Sequence, residues 1–388
     1  MRKIVFILLS LAIGVFIVVL SLEIGLRVLG IGYPLFVRPH PVAGLRMWPN
    51  LEAWWTLEGG AYVQVNSVGF RDVEHETTKK DGEFRIAFLG DSFTAGLEVP
   101  FDDLYLNVAN RTLENCPALA GRTPVPMNFG ISGIGTAQEL EILRHFVWDY
   151  DPDLVVLAVV SNDFTDNHPA FGGADMKPFY VFDDTGNLVL DDSFKTSPSF
   201  LFRTSPTRNL NRTLIQNSRT LQLLLETYTA IGRESNLEQM AKRGGSFNRP
   251  PETEKLRQAW KVTEATIALV AEDVASHGRD FLMLIFSTGH QVHPDPEYRE
   301  KRVIDTNGGD LYYWNERLEG FAVQNDIAVL DLIGPLLEHA EATQECLHGF
   351  ENAVPCGGHW NSEGHRLAGE EIAEAICLQL ATQKAALP

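Results

Sequence analysis

The chain has 388 residues, 45% of them apolar, which is enough to fill a core and argues against global disorder. Thirty-two basic side chains against 51 acidic ones leave a net charge of −19, and no basic block stands out. That balance disfavours a phosphate backbone as a partner, so no nucleic-acid role is expected.

The first element is an apolar run from Ile4 to Leu22, broken only by Ser10, Gly14 and Ser21. At 1.5 Å per residue a helix of that length reaches about 28 Å, close to the thickness of a hydrocarbon core. Arg2 and Lys3 precede it, which places the N-terminus in the cytoplasm and the rest of the chain on the periplasmic or extracellular side. The run continues past Leu20 to Leu26 without a small-x-small site. Residues 1–31 are therefore expected to be an uncleaved single-pass anchor rather than a signal peptide. Residues 32–83 are rich in Trp, Pro and Gly, with Trp48-Pro49-Asn50 and Trp54-Trp55. They read as an irregular or β-rich juxtamembrane segment whose aromatics pack on the main domain.

From Phe84 the pattern alternates, and residues 84–388 read as one domain. Phe84–Leu89 is a short buried-type strand ending at Gly90-Asp91-Ser92. Leu104–Leu113 is helical, and Val125–Phe129 is a second strand before the turn Gly130-Ile131-Ser132-Gly133. Thr136 caps a helix to about Val147, and Leu154–Val160 is a third strand ending at Ser161-Asn162-Asp163. Residues 164–251 break the rhythm and read as an insertion, a lid or wall over a site. It holds a hairpin about Asp183–Asn187, a helix over 210–231 and a polar loop over 243–251. Its Phe179, Tyr180, Phe182, Phe200 and Leu201 could receive an acyl chain, although apolar residues at such spacing usually form core. Helix 254–277, strand 281–286, helix 310–324, strand 327–330 and helix 367–380 complete the pattern. Buried strands separated by helices predict an α/β fold, a parallel sheet between two helical layers.

Four cysteines occur, Cys116, Cys346, Cys356 and Cys377, and none forms a CxxC pair, so no metal site is expected. Cys346 and Cys356 flank a short loop. Outside the cytoplasm a disulfide there is reasonable; two free thiols are the alternative.

Chemistry-bearing residues fall at loops after strands or before the last helix, the edge where parallel sheets bind ligands. Ser92, at a strand-to-helix turn, is either an N-cap or a nucleophile near helix N–H groups. Gly133 leaves a backbone N–H open to a ligand oxygen. Asn162 either shapes a turn or donates to an oxyanion. His359 and His365 precede the last helix, and a histidine near Ser92 would take and return its proton.

Taken together, these residues resemble the SGNH (GDSL-like) hydrolase superfamily. Gly90-Asp91-Ser92 looks like its first block, Asn128–Gly133 its second, Ser161-Asn162-Asp163 its third and His359–His365 its last. The N-terminal helix and Val65-Asn66-Ser67-Val68-Gly69-Phe70-Arg71 look like a membrane-anchored bacterial branch. The resemblance implies a flavodoxin-like three-layer α/β/α fold and a Ser92 nucleophile. It implies an oxyanion hole of the Ser92 N–H, the Gly133 N–H and the Asn162 amide, with His359 as base and no cofactor. His365 matches a structural position.

Two positions depart from that pattern. Phe93 replaces the Leu of the GDSL form. Upstream of His359, where the family places an Asp, stand Cys356 and Gly357. A Ser-His dyad is the expectation, with Glu351 and Glu363 the nearest carboxylates in sequence. The expected activity is hydrolysis of acyl or acetyl esters of a small molecule, lipid or glycan through an acyl-serine. The alternatives are an O-acyltransferase acting on cell-surface polysaccharide and a non-catalytic glycan-binding envelope protein.

Overall fold

The computed structural model describes residues 2–173, 175–230, 247–305 and 308–386. Ile231 and residues 243–246 of the expected polar loop lie outside them.

Helix α1 (Arg2–Val28) is long and apolar enough to cross a membrane. Nearly all its apolar side chains from Ile4 to Ile24 are exposed, and Leu26 is buried where the helix meets the rest of the chain. Residues 32–83, expected to be irregular or β-rich, form two antiparallel ribbons. One pairs β1 (Val37–His40) with β2 (Gly44–Met47), the other β3 (Glu52–Trp55) with β4 (Ala61–Gln64). Met47, Ala53, Val63 and Leu97 form a small core that joins these ribbons to the main domain.

The main domain is built on β5 (Glu83–Leu89), β6 (Thr123–Asn128), β7 (Leu154–Val159), β10 (Asp280–Ile285) and β11 (Val329–Asp331). All pair in parallel, in the spatial order β11-β10-β7-β5-β6. β7 is buried along its whole length, as strands covered on both faces must be. Counted along the sheet in chain order this is the doubly wound 2-1-3-4-5 arrangement, whose switch point lies between β5 and β7. The expected flavodoxin-like α/β architecture is therefore present.

The helices between and around these strands are α2 (Ser92–Ala95), α3 (Tyr105–Leu113), α4 (Thr136–Ile142), α5 (Asp163–Asp166) and α6 (Pro169–Gly172). Then come α7 (Pro198–Thr204), α8 (Pro206–Asn217), α9 (Arg219–Ala230), α10 (Glu254–Ser276) and α11 (Pro296–Asp305). The last are α12 (Tyr313–Gln324), α13 (Ile333–Thr343) and α14 (Ser362–Ala386). α3 and α14 pack together on one face of the sheet, α4 and α10 on the other. A Cys116–Cys377 disulfide, which the spacing of the cysteines did not suggest, bolts the end of α3 to α14. The Cys346–Cys356 disulfide is also formed.

The insertion differs from expectation in its helices. The helix expected over 210–231 is two, broken at Ser218, whose backbone is extended. The cause is Glu23 of α1. Its carboxylate accepts from the Arg219 and Thr220 N–H groups at 3.0 and 2.9 Å and from the Ser218 hydroxyl at 3.0 Å, capping α9 from outside its own segment. The hairpin forms as β8 (Phe179–Phe182) and β9 (Leu188–Asp191). Phe179, Tyr180 and Phe200 are buried in packing, and none of the five apolar residues considered for an acyl chain lines the cleft described next.

Candidate active site

A cleft of about 560 Å³ opens at the carboxyl ends of β5 and β7, the switch point of the sheet. Ser92, Gly133, Asn162 and His359 all line it, with Phe171 and Phe247 as apolar wall. The four residues come from four separate loops.

Ser92 begins α2. Asp91 precedes it as N-cap and accepts from the Phe93 N–H at 3.0 Å. As the first residue of its helix, Ser92 keeps its own N–H outside the helical ladder. Its Oγ lies 2.8 Å from His359 Nε2. His365, by contrast, is buried away from Ser92. It stacks on Tyr105, accepts from the Tyr105 N–H at 3.3 Å, and is driven down to about 3 by burial, so it stays uncharged.

His359 is not half of a bare dyad. Its Nδ1 lies 2.7 Å from Oε2 of Glu58, and its backbone N–H donates to Oε1 of the same carboxylate at 2.9 Å. One carboxylate thus fixes both the main chain and the ring of the histidine and leaves Nε2 free to accept from Ser92. Neither Glu351 nor Glu363 plays this part; Glu363 pairs with Arg366 at 2.6 Å. Glu58 sits at the tip of the β3–β4 ribbon. Asn352 clamps that tip, accepting from the Gly59 N–H at 2.9 Å and donating to the Gly59 carbonyl at 2.7 Å. Gly358, the residue before His359, has φ +75°, and a Cβ there would collide with Glu58 Oε1, so the absence of a side chain at 358 leaves room for that carboxylate.

A second carboxylate stands behind the first. Glu98 Oε1 is 3.5 Å from His359 Nδ1, while its buried Oε2 has no hydrogen-bond partner among the described residues. Arg71 holds the Glu98 loop, donating to the Gly96 carbonyl and, at 2.7 Å, to the Val99 carbonyl. Burial alone would depress the His359 imidazole. The charges of Glu98, Glu58 and Asp91 outweigh it and lift the group to about 9. Burial pushes Glu98 above the ordinary carboxylate range, while Glu58, although buried, is held below it by His359.

Phe93 packs its ring 4.9 Å from the His359 imidazole and 5.4 Å from Trp360, so the larger residue in place of Leu walls the histidine. Trp360 is fully buried and donates to the Ser287 hydroxyl at 2.9 Å. An isolated antiparallel bridge between His348 and Trp360 ties the segment around His359 to the loop closed by Cys346–Cys356.

On the other side of Ser92, Gly133 has φ +84°, a conformation open to glycine, and a Cβ there would meet only Leu45 at 3.8 Å. Thr136 is the first residue of α4 rather than its cap. Asp163, the first residue of α5, receives the Thr136 N–H at 2.9 Å and the Val160 N–H at 2.8 Å. That carboxylate locks the Gly133 turn to the Asn162 loop. Asn162 donates its amide to Asp91 at 2.9 Å and to Asp166 at 3.2 Å.

No protein-family profile matches the chain, and no curated protein does. Among solved structures it is similar to an acetyl xylan esterase, with 13% identity, 76% of this chain and 100% of that one covered, and a TM-score of 0.39. It is similar also to a lipase/acylhydrolase from Enterococcus faecalis (13% identity, 76% and 96% covered, TM-score 0.36). A GDSL-like lipase from Bacteroides thetaiotaomicron is a third (16% identity, 80% and 93% covered, TM-score 0.34). At such identity and overlap these stand as likenesses, and the fold rests on the sheet itself.

Proposed function

We infer that the protein is a serine esterase of the SGNH type that cleaves acyl or acetyl esters through a covalent acyl-Ser92. The observation that carries this reading is the line Glu58–His359–Ser92, with gaps of 2.7 and 2.8 Å, at the wall of an open cleft. A base held by an acid and a nucleophile held by that base is the geometry of an activated hydroxyl.

Ser92 Oγ attacks the acyl carbon while its proton passes to His359 Nε2. The imidazolium is stabilised by Glu58. Negative charge on the former carbonyl oxygen is met by the N–H groups of Ser92 and Gly133 and by the Asn162 amide, which exchanges its longer bond, to Asp166, for the oxyanion. His359 then protonates the leaving alcohol. Water, deprotonated by the same Nε2, releases the acid in the second half. A carboxylate beside His359, supplied by Glu58, supports the catalytic reading over the non-catalytic one.

α1 fits a membrane anchor. Two disulfides fit an oxidising compartment, which favours a main domain outside the cytoplasm.

The test is labelling of the full-length protein by a fluorophosphonate, beside hydrolysis of a p-nitrophenyl ester series. Labelling and turnover that vanish in Ser92→Ala are expected. Turnover unchanged in that variant overturns the reading.

A further inference from the structure

We propose that helices α7–α9 form an arm that lies on the anionic lipid surface beside α1 and fixes the esterase against the membrane. This rests on the reading of α1 as a membrane anchor.

Three observations meet in this arm. The first is charge. In a chain of net charge −19, residues 198–230 carry four basic side chains, Arg203, Arg208, Arg212 and Arg219, against one acidic, Glu226. Arg203, Arg208 and Arg212 have no carboxylate partner among the described residues. Arg203 and Arg208, with burial the larger cause, hold the Arg212 guanidinium below its ordinary value, as expected of a cationic cluster without a counter-charge.

The second is apolar exposure at helical spacing. Leu210 and Leu214 lie one turn apart on α8, with Leu210 60% exposed. Leu221, Leu224 and Tyr228 follow one face of α9, the last two 62% and 77% exposed. Leu201 and Phe202 stand out from α7 in the same way. Apolar stripes flanked by arginines are the composition of helices that lie in the interfacial layer.

The third is position. Glu23, which caps α9, is the first charged residue after the apolar run of α1. Arg27 donates to the Asn217 carbonyl at 2.6 Å, and the Tyr33 and Leu35 N–H groups donate to Gln222 and Gln216 at 3.0 and 2.9 Å. The arm is therefore bound to the turn of α1 where a spanning helix leaves the hydrocarbon.

Every native cysteine is in a disulfide, so a single added thiol can be labelled selectively. Full-length Leu210→Cys, Phe16→Cys and Val323→Cys proteins would carry an environment-sensitive fluorophore in phosphatidylglycerol/phosphatidylcholine vesicles. Val323, 67% exposed on α12, reports a surface away from the arm. The expected result is several-fold lower iodide quenching at positions 210 and 16 than at 323. The position 210 protection should weaken in the Arg203→Gln/Arg208→Gln/Arg212→Gln background, with native circular dichroism as the folding control. Quenching at 210 equal to that at 323, with 16 protected, overturns the arm proposal while sparing the anchor. Quenching at 16 overturns the anchor and the arm with it. Equal protection of 210 in lipid-free detergent means that protein covers the arm, and it too overturns the proposal.

Discussion

The Nδ1 atom of His359 lies 2.7 Å from a carboxylate oxygen of Glu58, a residue 301 positions earlier in the chain. The acid reaches the histidine from the tip of the β3–β4 ribbon, in place of the short step within one loop that the resemblance implied. Gly358 leaves the room it occupies.

Glu58→Gln keeps the shape of the side chain and removes its charge. The ring then loses the partner that selects its tautomer and stabilises its protonated form. A fall in kcat of about 10³- to 10⁴-fold is expected, since loss of the equivalent acid costs about 10⁴ in the best-known triad. Steady-state hydrolysis of p-nitrophenyl acetate measures it; an unchanged kcat would return the site to a dyad.

The rate should climb with pH later than for an ordinary histidine. Only the neutral imidazole can take the Ser92 proton, and the neighbouring carboxylates raise His359 to about 9. The acid limb of kcat/KM is expected well above the usual value of about 6.5. Glu98→Gln, which removes one of the charges responsible, should move that limb to lower pH. The sign for stability is opposite to that for rate. A raised imidazole stabilises the fold fully below about 6.5, and the contribution is lost as pH rises through about 9. Thermal midpoints across this window should fall, and Glu58→Gln should flatten the fall.

If the Asn162 amide serves the oxyanion as proposed, Asn162→Ala removes one of its donors. A drop in kcat of about 10²- to 10³-fold with little change in KM is expected. Equal losses in binding and turnover would instead mean that the amide holds the resting substrate. Burst kinetics separates the two.

The two disulfides should fail in different ways. Cys116–Cys377 closes a loop with a sequence separation of 261, for which the chain-entropy model gives about 6 kcal/mol. Opening it by Cys116→Ser/Cys377→Ser should lower the melting temperature while kcat holds. Cys346–Cys356 spans a separation of only 10, worth about 3 kcal/mol, but it closes the loop bridged to Trp360 and carrying Asn352. Cys346→Ser/Cys356→Ser should therefore lower kcat as well. Equal turnover in the two pairs would deny the short loop any part in holding His359 or Glu58.

The sheet was legible because β5, β7 and β10 are short apolar runs ending in turns, and periodicity reports such strands directly. Ser92, Gly133, Asn162 and His359 were legible because each closes a strand or opens the last helix. Glu58 was not. Glu58-Gly59-Gly60 reads as an ordinary ribbon tip, and its partner is fixed only by the pairing of β3 with β4 and the clamp from Asn352. The break at Ser218 was hidden for the same reason. The sequence from 210 to 231 continues as a helix locally, and the group that interrupts it belongs to α1. Both misses are long-range electrostatics, which no local pattern encodes.

The relay that joins residue 58 to residue 359 also sets when the protein can act. On the reading proposed above, the acid stands at position 58, the nucleophile at 92 and the base at 359, so a nascent chain that ends before residue 359 cannot hold the complete relay. The clasp between Cys116 and Cys377 likewise needs a chain that extends past residue 377, so the relay and the clasp share a dependence on the last segment to be synthesised.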